Sequence, residues 1–151
     1  MKNLLIQTTR FGEIVVEQSQ IIKFPQGIPG FMDKKAFIPI EYKEGSPFKF
    51  LQSMDEPDLA FVITDPFKIF NDYELDITKE DRELLKIEKP EDVNVYVIVT
   101  IGQGGTSITV NLQAPLVINI TKHLGKQIIL HKSPYPTRYP LKMKETVAGT
   151  K

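Results

Sequence analysis

The sequence predicts a mostly β, single-domain, antiparallel barrel-like fold with one short helix. Three observations carry that expectation. Val93, Val95, Val97 and Val99 alternate with Asn94, Tyr96, Ile98 and Thr100, the period-two pattern of a strand rich in β-branched residues. Both faces of that strand are largely apolar, as in a central strand covered on both sides. The other apolar runs are short and separated by turn residues, the signature of a β-sandwich or barrel. A partly closed barrel is preferred because several strands read as buried on both faces.

In chain order, Leu4–Thr9 and Ile14–Val16 read as strands around the turn Arg10–Glu13, and Ile21–Phe24 reads as a short third strand. Pro25-Gln-Gly-Ile-Pro-Gly-Phe31 has two prolines and two glycines, so it is a defined loop, pinned by Ile28 and Phe31. Ala36–Tyr42, Phe48–Ser53 and Leu59–Thr64 are strands, joined by the turn Lys43–Pro47 and the acidic turn Met54–Asp58. Asp65-Pro-Phe67 opens an irregular stretch in which Phe70, Tyr73, Leu75 and Ile77 are interleaved with acids. Thr78 is placed to cap a helix over Lys79–Lys86, with Glu80, Asp81 and Glu83 in the first turns where the helix dipole favours them. Leu84 and Leu85 give that helix a buried edge, and Pro90 stops any continuation.

After the Val93 strand, Ile101–Thr106 carries Gly102, Gly104 and Gly105, which suit a hairpin back into Ser107–Leu112. Gln113-Ala-Pro115 interrupts before Leu116–Ile120, because a proline cannot donate to a ladder. Lys122–Gly125 reads as a turn and Gln127–Leu130 as the last strand. Pro134, Pro136 and Pro140 impose extended backbone beyond it. The expected domain is 1–141, with a mobile tail at 142–151 that lacks apolar periodicity.

Composition narrows the function. The 151 residues suffice for one domain with a real core. Cysteine is absent, which removes disulfides and thiolate metal sites and fits a reducing cytoplasm. No apolar run approaches the roughly 20 residues that cross a bilayer. The start, Met1–Gln7, has no long apolar run before a cleavage site, so no signal peptide is expected. The charges balance at zero but not along the chain. Residues 41–92 hold fifteen acids against seven bases, whereas residues 93–151 hold one acid, Glu145, against seven bases. That asymmetry points to an acidic face, a basic end and a charged partner.

Chemistry is sparse. His123 and His131 are the only histidines and have no fixed partner, so structural or surface roles are expected for them, with no metal and no cofactor. Asp55, Glu56 and Asp58 surround a proline and do not match a calcium loop. There is no Gly-x-Ser-x-Gly elbow, and the glycines after the Val93 strand precede a strand rather than a helix, which removes the phosphate-cradle reading. The nine phenylalanines sit in the neutral and acidic part of the chain, away from Lys122, Lys126, Lys132, Arg138, Lys142 and Lys144. Direct nucleic-acid binding is therefore not expected. The rival readings are a barrel that carries a small apolar ligand and, more weakly, a hydrolase.

Five motifs in order resemble one family. They are Phe24-Pro-Gln-Gly-Ile-Pro-Gly-Phe31, Pro47-Phe-Lys-Phe-Leu-Gln-Ser53, Asp65-Pro-Phe67 with Asp72-Tyr-Glu74, Thr109-Val-Asn-Leu-Gln-Ala-Pro-Leu-Val-Ile-Asn119, and Gly125-Lys-Gln-Ile-Ile-Leu130. Together they span about residues 5 to 141 and resemble the flagellar assembly factor FliW family. The resemblance implies a bacterial cytoplasmic binding protein with a β-barrel-like domain and no enzymatic activity. It implies two protein partners, flagellin and the RNA-binding translational regulator CsrA, bound in exchange so that flagellin level controls flagellin translation. No membrane partner follows from it, and the free protein is expected to be a monomer.

Charge suggests where such partners bind. An RNA-binding protein carries basic surface, which an acidic face complements in rate and specificity. The expected CsrA face is Asp72, Tyr73, Glu74, Asp76, Glu80 and Asp81, with Tyr73 or Phe70 as aromatic anchor. The expected flagellin patch is apolar and comprises Phe31, Phe48, Phe67 and Phe70, all near turns.

Overall fold

The computed structural model describes residues 2–41, 43–102, 107–132 and 134–141. The strands are β1 (Asn3–Thr8), β2 (Gly12–Glu17), β3 (Ile22–Lys23), β4 (Ala36–Glu41), β5 (Phe48–Ser53) and β6 (Ala60–Thr64). After the helix α1 (Lys79–Leu84) come β7 (Val93–Ile101), β8 (Ile108–Val110), β9 (Leu116–Asn119), β10 (Leu124–Gln127) and β11 (Tyr139–Pro140). Strands β3 to β7 pair antiparallel in sequence order. Strand β9 pairs with β7 and with β10, and β10 meets β3 in parallel through Leu124 and Lys23, which closes the ring. The mostly β, barrel-like class with one short helix is therefore what this chain adopts.

The long strand β7 organises the ring, and its two faces supply two cores. Its even residues Tyr96 and Ile98 face the barrel interior with Ile22, Phe24, Phe37, Leu51, Ile63 and Ile118. Its odd residues Val93, Val95, Val97 and Val99 face outward into a second core with Tyr73, Leu85, Val110, Leu112 and Val117. This is why both faces of the strand are apolar in sequence.

Strands β8 and β9 lie end to end on one edge of β7. Val99 pairs with Val110, and Tyr96 pairs with Leu116. The returning chain therefore spends extra residues between Val110 and Leu116. They are taken up in a bulge around Asn111–Pro115, where the Asn111 side chain accepts from the N–H groups of Gln113 and Ala114, both at 3.1 Å.

Two coverings lie outside the ring. The β1–β2 hairpin is a separate two-stranded sheet, and Phe11 and Arg10 at its tip pack on the ring of Phe50 at 5.0 and 4.9 Å. The other covering consists of the segment 65–88 and of residues 128–132 and 134–141, and together they close the outer core.

Several sequence expectations shift. The expected last strand, Gln127–Leu130, lies earlier, at Leu124–Gln127. Beyond it Ile128 N–H and Leu130 N–H still donate to Pro115 and Gln113 carbonyls at 2.9 and 2.8 Å, but Pro115 has no N–H to return a bond, so the ladder stops. The turn expected at Lys122–Gly125 sits at 120–123, and Gly125 belongs to β10. A Cβ on Gly125 would lie 2.7 Å from the Phe24 ring, so this glycine makes room for an aromatic in the barrel. His123 holds a positive φ of 59° in that turn, and its carbonyl accepts from Lys23 N–H at 3.0 Å. The helix is shorter than the expected Lys79–Lys86, and the proline-rich end contributes the two-residue strand β11, paired with β8. The tip of the glycine hairpin at 103–106 and the expected tail at 142–151 lie outside the described residues.

Candidate protein-binding face

The segment between β6 and β7 is built by local capping and then by packing. Asp65 caps a short 3-10 turn, Pro66–Lys68, its carboxylate accepting from Phe67 N–H at 2.8 Å. From Tyr73 to the helix the chain has no regular secondary structure, and burial alternates along it. Tyr73, Leu75 and Ile77 turn towards the outer core, while Asp72, Glu74 and Asp76 are exposed. No ladder holds this stretch. Tyr73 instead donates its phenolic hydrogen to Leu112 C=O at 2.6 Å, and its ring lies 4.7 Å from that of Tyr135. The Tyr135 hydroxyl accepts from Glu74 N–H at 2.8 Å. Burial pushes the Tyr73 phenol well above its ordinary range, so it stays a donor at any physiological pH.

The helix follows. Thr78 caps it as expected, its hydroxyl accepting from Asp81 N–H at 3.1 Å. Asp81 then points inward and pairs with Lys126 of β10, while Glu80 stays exposed. At the other end, Asn119 is fully buried and donates to Leu85 and Lys86 carbonyls at 2.8 and 3.1 Å. Its amide oxygen accepts from Thr121 and Lys122 N–H groups at 2.9 and 3.0 Å. Neither Asn119 nor Lys126 is signalled by local sequence, because each acts on a helix more than thirty residues away.

The six residues of the expected acidic face thus divide. Asp72, Glu74, Asp76 and Glu80 are exposed, whereas Tyr73 is 4% exposed and Asp81 7%. Tyr73 is a support beneath the acidic row rather than an anchor projecting from it. An aromatic that alternates with acids on an unpaired segment is the residue that faces the core.

The four phenylalanines expected as one apolar patch also divide. Phe67 is 44% exposed and meets Tyr73 edge to face at 5.6 Å. Phe48 and Phe70 are half-buried in the same outer core, Phe70 against Tyr135 and Tyr139 at 5.5 and 5.7 Å. Phe31 lies elsewhere, edge-on to Phe61 at 5.3 Å and beside the exposed Met32. Its loop is fixed by a turn in which Phe31 N–H donates to Ile28 C=O at 2.6 Å and Gly30 holds a φ of 90°. The exposed cross-strand pair Leu5 and Val15 on the hairpin went unmarked in the sequence, because alternation does not say which side of a strand is covered.

Among the described residues no three histidine, aspartate or glutamate side chains gather in a group able to hold a metal. The barrel interior is filled by Phe24, Phe37, Leu51 and their neighbours, and the recess at its mouth, beside Tyr96 and Lys49, is about 220 Å³. Outside the ring, a groove of about 820 Å³ runs between β7 and the acidic segment. Among the described residues no helix is long and apolar enough to cross a membrane.

The family model described as FliW protein matches residues 4–141. The chain is 43% identical over 145 residues to the flagellar assembly factor FliW of Desulfitobacterium hafniense (strain DSM 10664 / DCB-2), covering 96% of this chain and 95% of that protein. It is 38% identical to the flagellar assembly factor FliW of Bacillus subtilis (strain 168), covering 91% and 96%. A crystal structure of the flagellar assembly factor FliW superposes with a TM-score of 0.84 at 41% identity, covering 91% of this chain and 96% of that one.

Proposed function

This chain belongs to the FliW family, and from that premise we propose that it is a cytoplasmic, non-enzymatic flagellar assembly factor that binds flagellin and CsrA in exchange. The observation that carries the reading is the row Asp72, Glu74 and Asp76, exposed on a segment backed by the Tyr73–Leu112 hydrogen bond. The three carboxylates alternate with the inward-facing Tyr73 and Leu75, and a supported row keeps its geometry when a basic partner arrives. CsrA, as an RNA-binding protein, supplies that basic surface. Flagellin takes the apolar ground, with Phe67 as the exposed member and Phe48 and Phe70 beneath it. Phe31 and Met32 form a second apolar spot near the opposite end of β5, since Lys34 in that loop pairs with Glu56.

Replacing Asp72, Glu74 and Asp76 together with lysine tests the CsrA face. Binding falls at least about tenfold, roughly 1.4 kcal/mol, and added salt weakens the wild-type complex as screening shortens to a few Å. Binding indifferent to both changes overturns the face. Phe67→Ser and Phe31→Ser, measured separately, locate flagellin: loss is expected from the first. Titrating flagellin into a labelled CsrA complex tests the exchange, because linkage makes each partner weaken the other by one factor. A ternary complex in which neither affects the other overturns it.

A further inference from the structure

We propose that the groove beside β7 is a strand-addition site for an extended, acidic segment of a partner protein. The edge of β7 carries the first observation. Asp92 C=O accepts from Ile120 N–H and Ile98 C=O accepts from Asn111 N–H, at 2.8 and 3.1 Å, so the even residues of this strand face β9 and β8. The odd residues then face the opposite edge, because backbone groups alternate along a strand. On that edge β6 reaches only Val97 to Val99, and the chain leaves at Asp65 and Pro66. Val93 N–H turns back to Pro90 C=O. Val95 is left with its N–H and C=O aimed into the groove and no partner for either among the described residues.

The far wall repeats the condition. Leu75, Asp76 and Ile77 belong to no ladder, line the same groove and donate no backbone hydrogen bond among the described residues. An extended chain laid between the walls finds donors and acceptors on the β7 side, and its alternate side chains meet Leu75, Ile77 and Ile87.

Charge selects the occupant. Lys49, Lys68, Arg82 and Lys89 rim the groove, and none has a carboxylate within 4.0 Å among the described residues. The Lys49 ammonium lies 5.6 Å from the Tyr96 ring centre and stays available at the rim. Of the rim acids Asp65, Asp76 and Glu88, Asp65 is engaged with Phe67 N–H. The rim therefore carries four cations against three carboxylates, a net positive charge on a segment that is otherwise acidic. A strand that alternates acidic and apolar side chains satisfies the edge, the apolar floor and the rim together. This site does not depend on the assignment of CsrA or flagellin to the chain.

The probe is a fluorescent heptapeptide alternating glutamate with valine, compared with a lysine-for-glutamate version and with a version carrying proline at its centre. Anisotropy should show the glutamate peptide binding at least about tenfold tighter than either, a difference of roughly 1.4 kcal/mol. The double variant R82E/K89E should lose at least about tenfold for it with its melting temperature unchanged, and the Val95 amide resonance should shift on binding. Absence of binding, equal binding of the three peptides, or binding that leaves the Val95 amide unmoved overturns the site. A proposed CsrA face that failed its own lysine test would leave these outcomes unaltered.

Discussion

The barrel interior and the layer outside β7 are both apolar, and they are held together differently. The interior is enclosed by paired strands and filled by rings, Phe24 edge-on to Phe37 at 5.5 Å and Phe37 against Phe61 at 5.9 Å. The outer layer has almost no ladder of its own, apart from β11 on β8. Single side chains fasten it: Tyr73 to Leu112, Asn119 to the end of α1, Asp81 to Lys126, Tyr135 to Glu74. The contrast teaches where binding is displayed. A closed ring leaves its strands little free edge, and here that is the stretch of β7 around Val95, past the end of β6. The outer layer, tied at a few points, leaves a row of carboxylates and part of a strand edge in solvent. Regions with few backbone ladders open at lower cost than the core they cover.

Three substitutions separate the two regions. Gly125→Val acts on the interior and should have the largest effect. Its new side chain meets the Phe24 ring, and overpacking of this kind costs about 3 kcal/mol. The melting temperature should fall by roughly 6–12 °C, and an unchanged value would mean that Phe24 is not held against β10. Asn119→Ala acts on the seam, leaving two carbonyls and two N–H groups without their partner. A loss of about 2 kcal/mol is expected, since water reaches part of the vacated site. Hydrogen exchange should quicken first in α1, and uniform acceleration would deny the layer its separate anchor. Tyr73→Phe removes only the hydroxyl under the acidic row, at about 1 kcal/mol, with Leu112 C=O left unpaired. Exchange should rise within 72–77 while β3 to β6 keep their protection.

These contrasts mirror what the sequence does and does not encode locally. The strand β7, the Thr78 cap and the acid–apolar alternation after Asp72 are legible because each is a repeat or a cap within a few residues. Gly125 is not legible, because a glycine that admits a ring from a distant strand looks the same in sequence as one that makes a turn. Gln127–Leu130 reads as a strand, and Ile128 and Leu130 do point inward on either side of the exposed Ile129, but the loss of its ladder is decided by Pro115 across the pair. At the candidate site, alternation separates Asp72, Glu74 and Asp76 from Tyr73, Leu75 and Ile77 without saying which set is covered. The cover depends on Leu112 and Tyr135, far along the chain. Asp81 shows the same limit: its place in the first turn of the helix is legible, and its partner Lys126 is not.

The smallest expected effect lies where the two regions touch. Asp92 ends the 3-10 turn that leads into β7, and its carboxylate accepts from the Thr121 hydroxyl at 2.8 Å, in the turn between β9 and β10. Lys89 N–H donates to its other oxygen at 3.3 Å. The Thr121 hydrogen bond, more than any other contact, holds this carboxyl below the usual carboxylate range, against the opposing push of burial. A carboxyl lowered in the folded state contributes stability that is present above its unfolded value, near about 3.9, and is lost as pH falls through the folded value. Thr121→Val removes the leading cause. The Asp92 titration, followed by carbon NMR of its carboxyl, should move up towards the ordinary value, and the acid limb of the stability curve should begin at slightly higher pH. Below the folded value the carboxyl is protonated in both proteins, so the part of their difference that comes from Asp92 should vanish there. An Asp92 titration unmoved by Thr121→Val would place the cause in the Lys89 contacts instead, and the seam would then be held from the outer layer alone.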